Sequence, residues 1–315
     1  MLRYVVKRLL MLVPVTFLVT LLSFFLVYLS PGDPVTSLLS QGSGIVDEEV
    51  ASQMRADLGL DRSLPVQYAS WLGGVLQGDL GTSISTRKPV LDEIGKRLPA
   101  TVFLACVSMA LTLVIAVPLG VLSAVRQNKA IDYLVRAMSF VGASAPGFLV
   151  AMLLVYVFAV NLRMFPSMGS MRGVGWVLPV ASLVLCETCM YVRQVRTLVL
   201  QELASGYILA QRTRGIKESA IVARSVLKAV APSLLVLAGM TMGQLLGGTA
   251  IIETVFNWPG IGSYAVKAVL ARDYPLIQGY VLLMSVFFML INLAVDLAQA
   301  KLDPRVRASL KEASR

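Results

Sequence analysis

The 315-residue sequence contains no histidine and only three cysteines, which restricts the chemistry that it can perform. Without histidine there is no Ser/His or Cys/His pair to activate a nucleophile, and no histidine-based zinc site. The cysteines are Cys106, Cys186 and Cys189, all inside apolar stretches, so we expect no disulfide framework. Most hydrolase functions are thereby excluded.

A phosphate-binding loop is also missing from the sequence. Such a loop needs a glycine, four further residues, then Gly-Lys and Ser or Thr. The only Gly-Lys pair is Gly95-Lys96, with Val90 at the position of the first glycine and Arg97 at that of the hydroxyl. We therefore expect no ATPase site and no cofactor bound by this chain.

Charged residues are scarce: they make up 15% of the chain, whereas apolar residues make up 57%. This composition is too apolar for a soluble protein of this length. A hydrocarbon core of roughly 30 Å requires about 20 apolar residues per helical span. Six stretches qualify, the fourth interrupted by Glu187, and they predict an all-α polytopic membrane protein with about six transmembrane helices. They lie near residues 9–29, 100–125, 134–160, 176–191, 232–252 and 276–298.

The first span follows Arg3, Lys7 and Arg8, so a cleaved signal peptide is an alternative to a retained helix. Its apolar stretch of about 21 residues exceeds the roughly 7 to 15 of a signal core. The sequence PGDP follows it at 31–34 instead of a small-residue cleavage site. We interpret this segment as a retained helix.

The net charge of +10 is explained by orientation in the membrane. Most of the 28 basic residues fall in segments that are cytoplasmic if the N-terminus is inside, as the positive-inside rule requires. We predict both termini and residues 193–231 in the cytoplasm, and the loop 31–98 outside. No basic stripe interleaved with aromatic residues accompanies the charge, so membrane lipid is an expected partner and nucleic acid is not.

A basic segment, YILAQRTRGIKESAIVARSVLKAVAP at 207–232, lies between predicted spans four and five. Its basic residues are mixed with apolar ones, and Gly215 interrupts it, which predicts two short helices joined by a turn. From the residues alone, a basic loop lying on anionic lipid headgroups remains an open interpretation.

This segment resembles the EAA loop of permease subunits in ATP-binding-cassette importers, with Ala210, Arg212, Arg214, Gly215 and Pro232 at corresponding positions. The whole sequence resembles the dipeptide, oligopeptide and nickel permease family, and is closest in pattern to nickel-transport permeases. Five blocks carry this resemblance, in order: LVYLSPGDP at 26–34, LGLDRSLPVQYASWLGGVLQGDLGTS at 58–83, RLPAT at 97–101, ETVFNWPGIGSYAVKAVLARDYPLIQG at 253–279 and NLAVDLAQAKLDPRVR at 292–307.

The resemblance implies a type I importer permease fold in the bacterial inner membrane. The implied partners are a second permease, two cytoplasmic ATPases that carry ATP and Mg, and an external substrate-binding protein. Ala210, Arg212, Arg214, Gly215 and Glu218 would dock on an ATPase and transmit its closure. The substrate stays open between nickel, crossing as a small organic chelate, and short peptides.

Two other functional classes explain less of the sequence. A secondary transporter driven by an ion gradient should show an internal repeat, which is not visible. A membrane enzyme needs an activated nucleophile, and Ser144 in the string GASAPG has no histidine to activate it.

Gly239, Gly243 and Gly247 recur every four residues in the fifth span, with Gln244 among them. Small residues at this spacing let helix backbones approach closely. The pattern predicts either plain helix packing or an interface with the partner permease along the transport pathway, and both interpretations remain open.

The fourth span contains Glu187, an ionisable group that is costly inside a membrane and so is a candidate substrate contact. Cys186, Cys189 and Met190 surround it and are soft ligands that suit a transient metal contact. The alternatives are that Glu187 reaches water at an interface and that the cysteines act as small hydrophobic groups.

Outside the membrane, the loop 31–98 and the segment 255–277 are expected to dock the binding protein, with Asn257, Trp258, Pro259 and Asp273 as candidates. The predicted organisation is an N-terminal tail and first transmembrane helix at 1–30, an external loop region at 31–98, a core permease domain at 99–307 that includes the coupling loop 200–231, and a cytoplasmic tail at 308–315.

Overall fold

The computed structural model describes residues 2–29, 32–43 and 48–302. Within these ranges the chain is helical and has no β-strand beyond an isolated bridge between Thr82 and Pro89. The predicted all-α class is confirmed, and the predicted tail at 308–315 lies outside the described residues. The helices are α1 Leu2–Leu29, α2 Pro34–Ser43, α3 Glu48–Asp57, α4 Leu64–Leu76, α5 Val90–Val125, α6 Ala130–Ser144, α7 Gly147–Leu154, α8 Val177–Leu203, α9 Gly206–Thr213, α10 Glu218–Ile221, α11 Leu227–Gly248, α12 Ala250–Val255, α13 Ile261–Ala271 and α14 Tyr274–Leu302.

Several of the described helices are long and apolar enough to cross a membrane. The helix α8, which contains the predicted fourth span, falls short because Glu187 and Arg193 interrupt its apolar run. The described residues contain four continuous candidate spans, and a fifth if the bent pair Ala130–Ser144 and Gly147–Asn161 is counted as one span. The four continuous ones are Arg8–Leu29, Val90–Val125, Glu218–Gly248 and Tyr274–Leu302, and they correspond to predicted spans one, two, five and six.

The predicted third span, residues 134–160, is bent and does not form one straight helix. The helix α6 ends at Ser144, α7 begins at Gly147, and the two are bent by 98°. Pro146 has no backbone N–H and disfavours the helical conformation at the residue before it. Ala145 is accordingly extended, with φ −82° and ψ 130°.

The chain divides into two compact units, which are described separately. Unit 1 comprises Met1–Val5, Val102–Trp258 and Leu290–Arg315. Unit 2 comprises Val6–Thr101 and Pro259–Met289.

The core of unit 1 joins α5, α8, α9, α10 and the beginning of α11. Gly120 of α5 lies so close to α8 that an added Cβ would come within 2.7 Å of the Val195 side chain, so glycine permits this contact. A π-helical stretch, Val222–Val226, connects α10 to α11 beside this core. The buried members of the core are Ala124, Val195, Val199, Ile208, Ile221, Val226 and Val230.

The core of unit 2 joins the beginning of α5 to α13 and the beginning of α14. Asp273, which precedes α14, is fully buried and accepts hydrogen bonds from the Ser83 and Ser85 hydroxyls at 2.5 and 2.6 Å. The backbone N–H groups of Ile84 and Ser85 donate to the same carboxylate at 3.1 Å each. Asp273 thereby fixes the loop at 83–85 against the junction of α13 and α14. The buried members of the core are Leu80, Val90, Ile94, Ile261, Ala268, Leu276 and Ile277.

Candidate functional site

The helices α9 and α10 form a helical hairpin, residues 206–221, whose turn is built on Gly215. Gly215 has a φ of 77°, a left-handed conformation that glycine adopts without strain. Its N–H donates to the Arg212 carbonyl at 3.0 Å, and the Ile216 N–H donates to the Gln211 carbonyl at 3.3 Å. This pair of bonds is the Schellman arrangement that ends a helix. The two short helices and the turn predicted at Gly215 are both present.

The helical hairpin has a buried base and an exposed tip. Ile208 on α9 and Ile221 on α10 are fully buried in the core of unit 1. The Ser225 hydroxyl donates to Gln211 Oε1 at 3.0 Å and ties α9 to the segment that follows α10. Residues 212–219, by contrast, are all exposed. A contact made at the tip is therefore mechanically connected to α5 and α8 through packed side chains.

The tip carries an ion pair within the chain. Arg212 donates through Nε to Glu218 Oε2 at 3.1 Å and through Nη2 to Oε1 at 2.6 Å. The hydrogen bond to Glu218 raises the pKa of Arg212 above its ordinary value. Ala210 and Arg214 are exposed beside it. The family resemblance implies that Arg212 contacts an ATPase. It does not reveal that Glu218 of the same chain binds this guanidinium.

A buried ion pair that the sequence did not reveal connects α6 to α8 in unit 1. Asp132 on α6 accepts from Arg196 on α8, with Nε to Oδ1 at 2.7 Å and Nη2 to Oδ2 at 2.9 Å. The Ser123 hydroxyl donates to Asp132 Oδ1 at 2.6 Å, and the Asn128 N–H donates to Oδ2 at 3.0 Å. We call these four residues the clamp. It fixes the turn between α5 and α6 onto α8, the helix that supplies Val195 to the core.

The three glycines of α11 do not form one contact face within this chain. Gly239 is buried and lies directly against Val295 of α14, too close for a Cβ. Gly243 is half-buried, whereas Gly247 and Gln244 are exposed and no heavy atom lies within 4 Å of the Cβ position of Gly247. Helix packing therefore explains Gly239 and leaves the Gln244 and Gly247 face unoccupied by the described residues.

The two cysteines of α8 face the break between α6 and α7. The Cys189 sulfur lies against Gly142 of α6, too close for a Cβ there. The Cys186 sulfur is 3.8 Å from the Cβ position of Gly147 at the beginning of α7. In these contacts both thiols fill space beside glycines, as small hydrophobic groups do.

The other two candidates of the fourth span are more accessible. Glu187 is half-buried on α8, and Met190 is 43% exposed. In the part of the chain that the structure describes, no group of three or more His, Cys, Asp or Glu side chains is arranged to hold a metal ion. The predicted substrate contacts thus share one helix.

The predicted external docking residues differ in exposure. Asn257 and Pro259 are exposed. Trp258 is 1% exposed, stacked on Phe103 with ring centroids 6.3 Å apart, and Asp273 is fully buried in the bonds described above. The side chains of Trp258 and Asp273 lie inside the protein, which corrects the prediction that they present a docking surface.

Two family profiles together match nearly the whole chain. The profile of binding-protein-dependent transport system inner membrane components matches residues 116–308. The N-terminal profile of binding-protein-dependent transport system membrane components matches residues 1–105.

Individual relatives match over similar lengths. The glutathione transport system permease protein GsiC of Pectobacterium atrosepticum is 38% identical over 98% of this chain and 99% of its own length. A putative peptide permease protein of Brucella suis is 36% identical over 98% of this chain and 100% of its own length. The inward-facing structure of the MetNI methionine ABC transporter has 21% identity and a TM-score of 0.57, covering 67% of this chain and 96% of that chain. The likeness to that structure concerns the fold.

Proposed function

The chain belongs to the family of binding-protein-dependent transport system inner membrane components, the permease subunits of ATP-binding-cassette importers, and we propose that it imports short peptides. Such a permease works with an external substrate-binding protein and with ATPases. In this proposal ATP and Mg bind to two cytoplasmic partner subunits, because this chain has no phosphate-binding loop.

The substrate class is supported by the relatives. The two described above are named for glutathione, itself a tripeptide, and for peptides. Neither is named for nickel, which the sequence pattern had suggested. Short peptides are therefore the substrate that we propose.

The helical hairpin is the proposed contact for an ATPase. This role is supported by the burial pattern of the hairpin: Ile208 and Ile221 are buried in the core, whereas residues 212–219 are exposed. A surface loop lying on headgroups needs no such buried base, and its apolar residues would face the lipid. In the proposed orientation the hairpin and both termini are cytoplasmic, and the region 31–98 is external.

A second permease is proposed to cover the exposed face of α11 and α12. Met240, Gln244, Gly247 and Ile251 are exposed and follow one another at helical spacing. The face combines apolar side chains, a glycine and one amide, which suits close helix packing along a polar pathway. Gln244 is the residue of this face that we propose to contact passing substrate.

Transport by the complete importer in proteoliposomes tests this function. With the binding protein outside and ATP inside, we expect uptake of a labelled tripeptide that vanadate abolishes and that an ionophore leaves unchanged. Uptake without ATP that collapses with the ionophore would instead identify a secondary transporter. A nickel chelate that is taken up while peptides are not would overturn the proposed substrate.

A further inference from the structure

Unit 2 contains a cavity for which none of the roles above provides a ligand. Its volume is about 420 Å³, within the roughly 300–1,000 Å³ typical of ligand sites. Four aromatic side chains line part of the wall, Phe24, Tyr28, Trp71 and Tyr274, contributed by α1, α4 and α14. In the proposed orientation the cavity lies on the external side, where substrate arrives.

Gln278 of α14 lines this cavity and is 2% exposed. Neither its Nε2 nor its Oε1 has a hydrogen-bond partner among the described residues. A buried amide without partners is costly, and buried polar groups in proteins are otherwise almost always hydrogen-bonded. The amide is thus available to a ligand that brings both a donor and an acceptor.

Gln67 also lines the cavity, but its side-chain amide is hydrogen-bonded to the protein. Its Oε1 accepts from the Tyr28 hydroxyl. Its Nε2 donates to the carbonyls of Leu60 at 3.2 Å and Arg62 at 2.7 Å. Gln67 therefore holds the wall together, whereas Gln278 contributes no hydrogen bond to it.

A second polar group of the cavity also lacks a partner among the described residues: the indole N–H of Trp71. An indole offers a donor only, while a carboxamide offers two donors and an acceptor. A peptide backbone matches this set, since each peptide group presents a carbonyl next to an N–H. The rim adds exposed charges of both signs, Asp57, Arg62 and Asp79, which suit the termini of a free peptide.

We propose that this cavity binds a free short peptide, with one backbone peptide group paired to the Gln278 amide and a carbonyl accepting from the Trp71 indole. The inference adds a second site for the substrate class proposed above and rests on that proposal. Apolar and aromatic side chains contribute contact area, while the few polar groups fix the orientation of the ligand and here pair with the backbone that all peptides share.

Calorimetric binding to the assembled importer in nanodiscs, without its binding protein, tests the proposal. The probes are trialanine and an analogue in which an ester replaces the second of its two amides and so removes one N–H. Loss of a buried hydrogen bond should weaken binding of the ester by about tenfold. Gln278→Met should also weaken the binding of trialanine by about tenfold. In this variant trialanine and the ester should bind with the same affinity.

Two further variants separate ligand binding from folding. Gln77→Met, the same change at an exposed position outside the cavity, should leave trialanine binding unchanged. Gln67→Met should lower the thermal unfolding temperature because three hydrogen bonds are lost, whereas Gln278→Met should leave it unchanged or raise it. If Gln278→Met lowered the unfolding temperature, the Gln278 amide would be stabilising the fold, and the proposal would be overturned.

The binding result and the transport result are independent. If trialanine does not bind, or binds equally to Gln278→Met, the cavity proposal is overturned even where ATP-driven peptide uptake continues. If trialanine binds with the expected pattern and no peptide is transported, the cavity inference is supported and the proposed transport substrate is refuted. Trp71→Phe, which removes the indole N–H together with part of the ring, should weaken the binding of trialanine several-fold.

Discussion

Replacement of Gly215 tests the helical hairpin because the φ of 77° at this residue suits glycine best. No heavy atom lies within 4 Å of the position of an added Cβ, so a substitution acts through backbone strain and not through a clash. For alanine this conformation costs roughly 1–2 kcal/mol. That energy lowers the population of the native turn by a factor of about 5–30. Asparagine tolerates the conformation better, and proline cannot reach it because its ring fixes φ near about −65°.

The assay measures ATP hydrolysis by the complete importer in the presence of its binding protein. The rate should be highest for the unchanged protein and should decrease through Gly215→Asn and Gly215→Ala to Gly215→Pro. Membrane insertion should be unchanged, because the buried base at Ile208 and Ile221 is not altered. Gly206→Pro is the matched control. Gly206 is the first residue of α9, where proline is favourable, and Ser205 before it is already extended with φ −71° and ψ 146°.

The measurements are the ATPase rate and co-purification of the four subunits. Normal assembly and normal hydrolysis with Gly215→Pro would refute the reasoning, as would a Gly206→Pro variant that is equally damaged. In either case the shape of the turn would not matter to the ATPases. The segment would then be a basic loop at the lipid surface.

The other predictions concern the clamp and the topology. Asp132→Ala leaves the Arg196 guanidinium without its buried partner and should destabilise the permease by about 3–5 kcal/mol, seen as a lower thermal unfolding temperature. Arg193→Ala, an exposed change on the same helix, should cost less than about 0.5 kcal/mol. On a cysteine-free background, a membrane-impermeant thiol reagent added outside should label Ser63→Cys and not Ser219→Cys. The reverse labelling would contradict the proposed orientation.

Local signals in the sequence were enough to predict the hairpin and most of the spans. Continuous apolar runs locate helices that must satisfy their backbone hydrogen bonds internally. A glycine between two amphipathic stretches indicates a left-handed turn, and Gly215 has that conformation. The break at Pro146 was also visible as a proline, but the apolarity on both sides of it predicted one span. The 98° bend shows that the missing N–H and the extended Ala145 outweigh the apolar run.

Contacts between distant residues could not be predicted in the same way. Asp132 and Arg196 are far apart along the chain, and nothing in their spacing indicates that they pair. The burial of Asp273 depends on donors at Ser83 and Ser85, which come from a different segment of the chain. Gln278 reads as an ordinary polar residue near the beginning of the last span. Its importance becomes visible only when its amide is found buried beside a cavity.

The ion pair Asp132–Arg196 and the ion pair Arg212–Glu218 differ in exposure, and this difference separates their roles. The Asp132 and Arg196 side chains are 0% and 18% exposed, whereas those of Glu218 and Arg212 are 44% and 40% exposed. Breaking a buried pair costs about 3–5 kcal/mol, and an exposed pair contributes only about 0–1 kcal/mol. We infer that the clamp stays closed through the transport cycle while the tip pair exchanges partners. In the proposed role of the hairpin, an ATPase takes Arg212 from Glu218 at little cost, and its movement reaches α8 through a scaffold that remains folded.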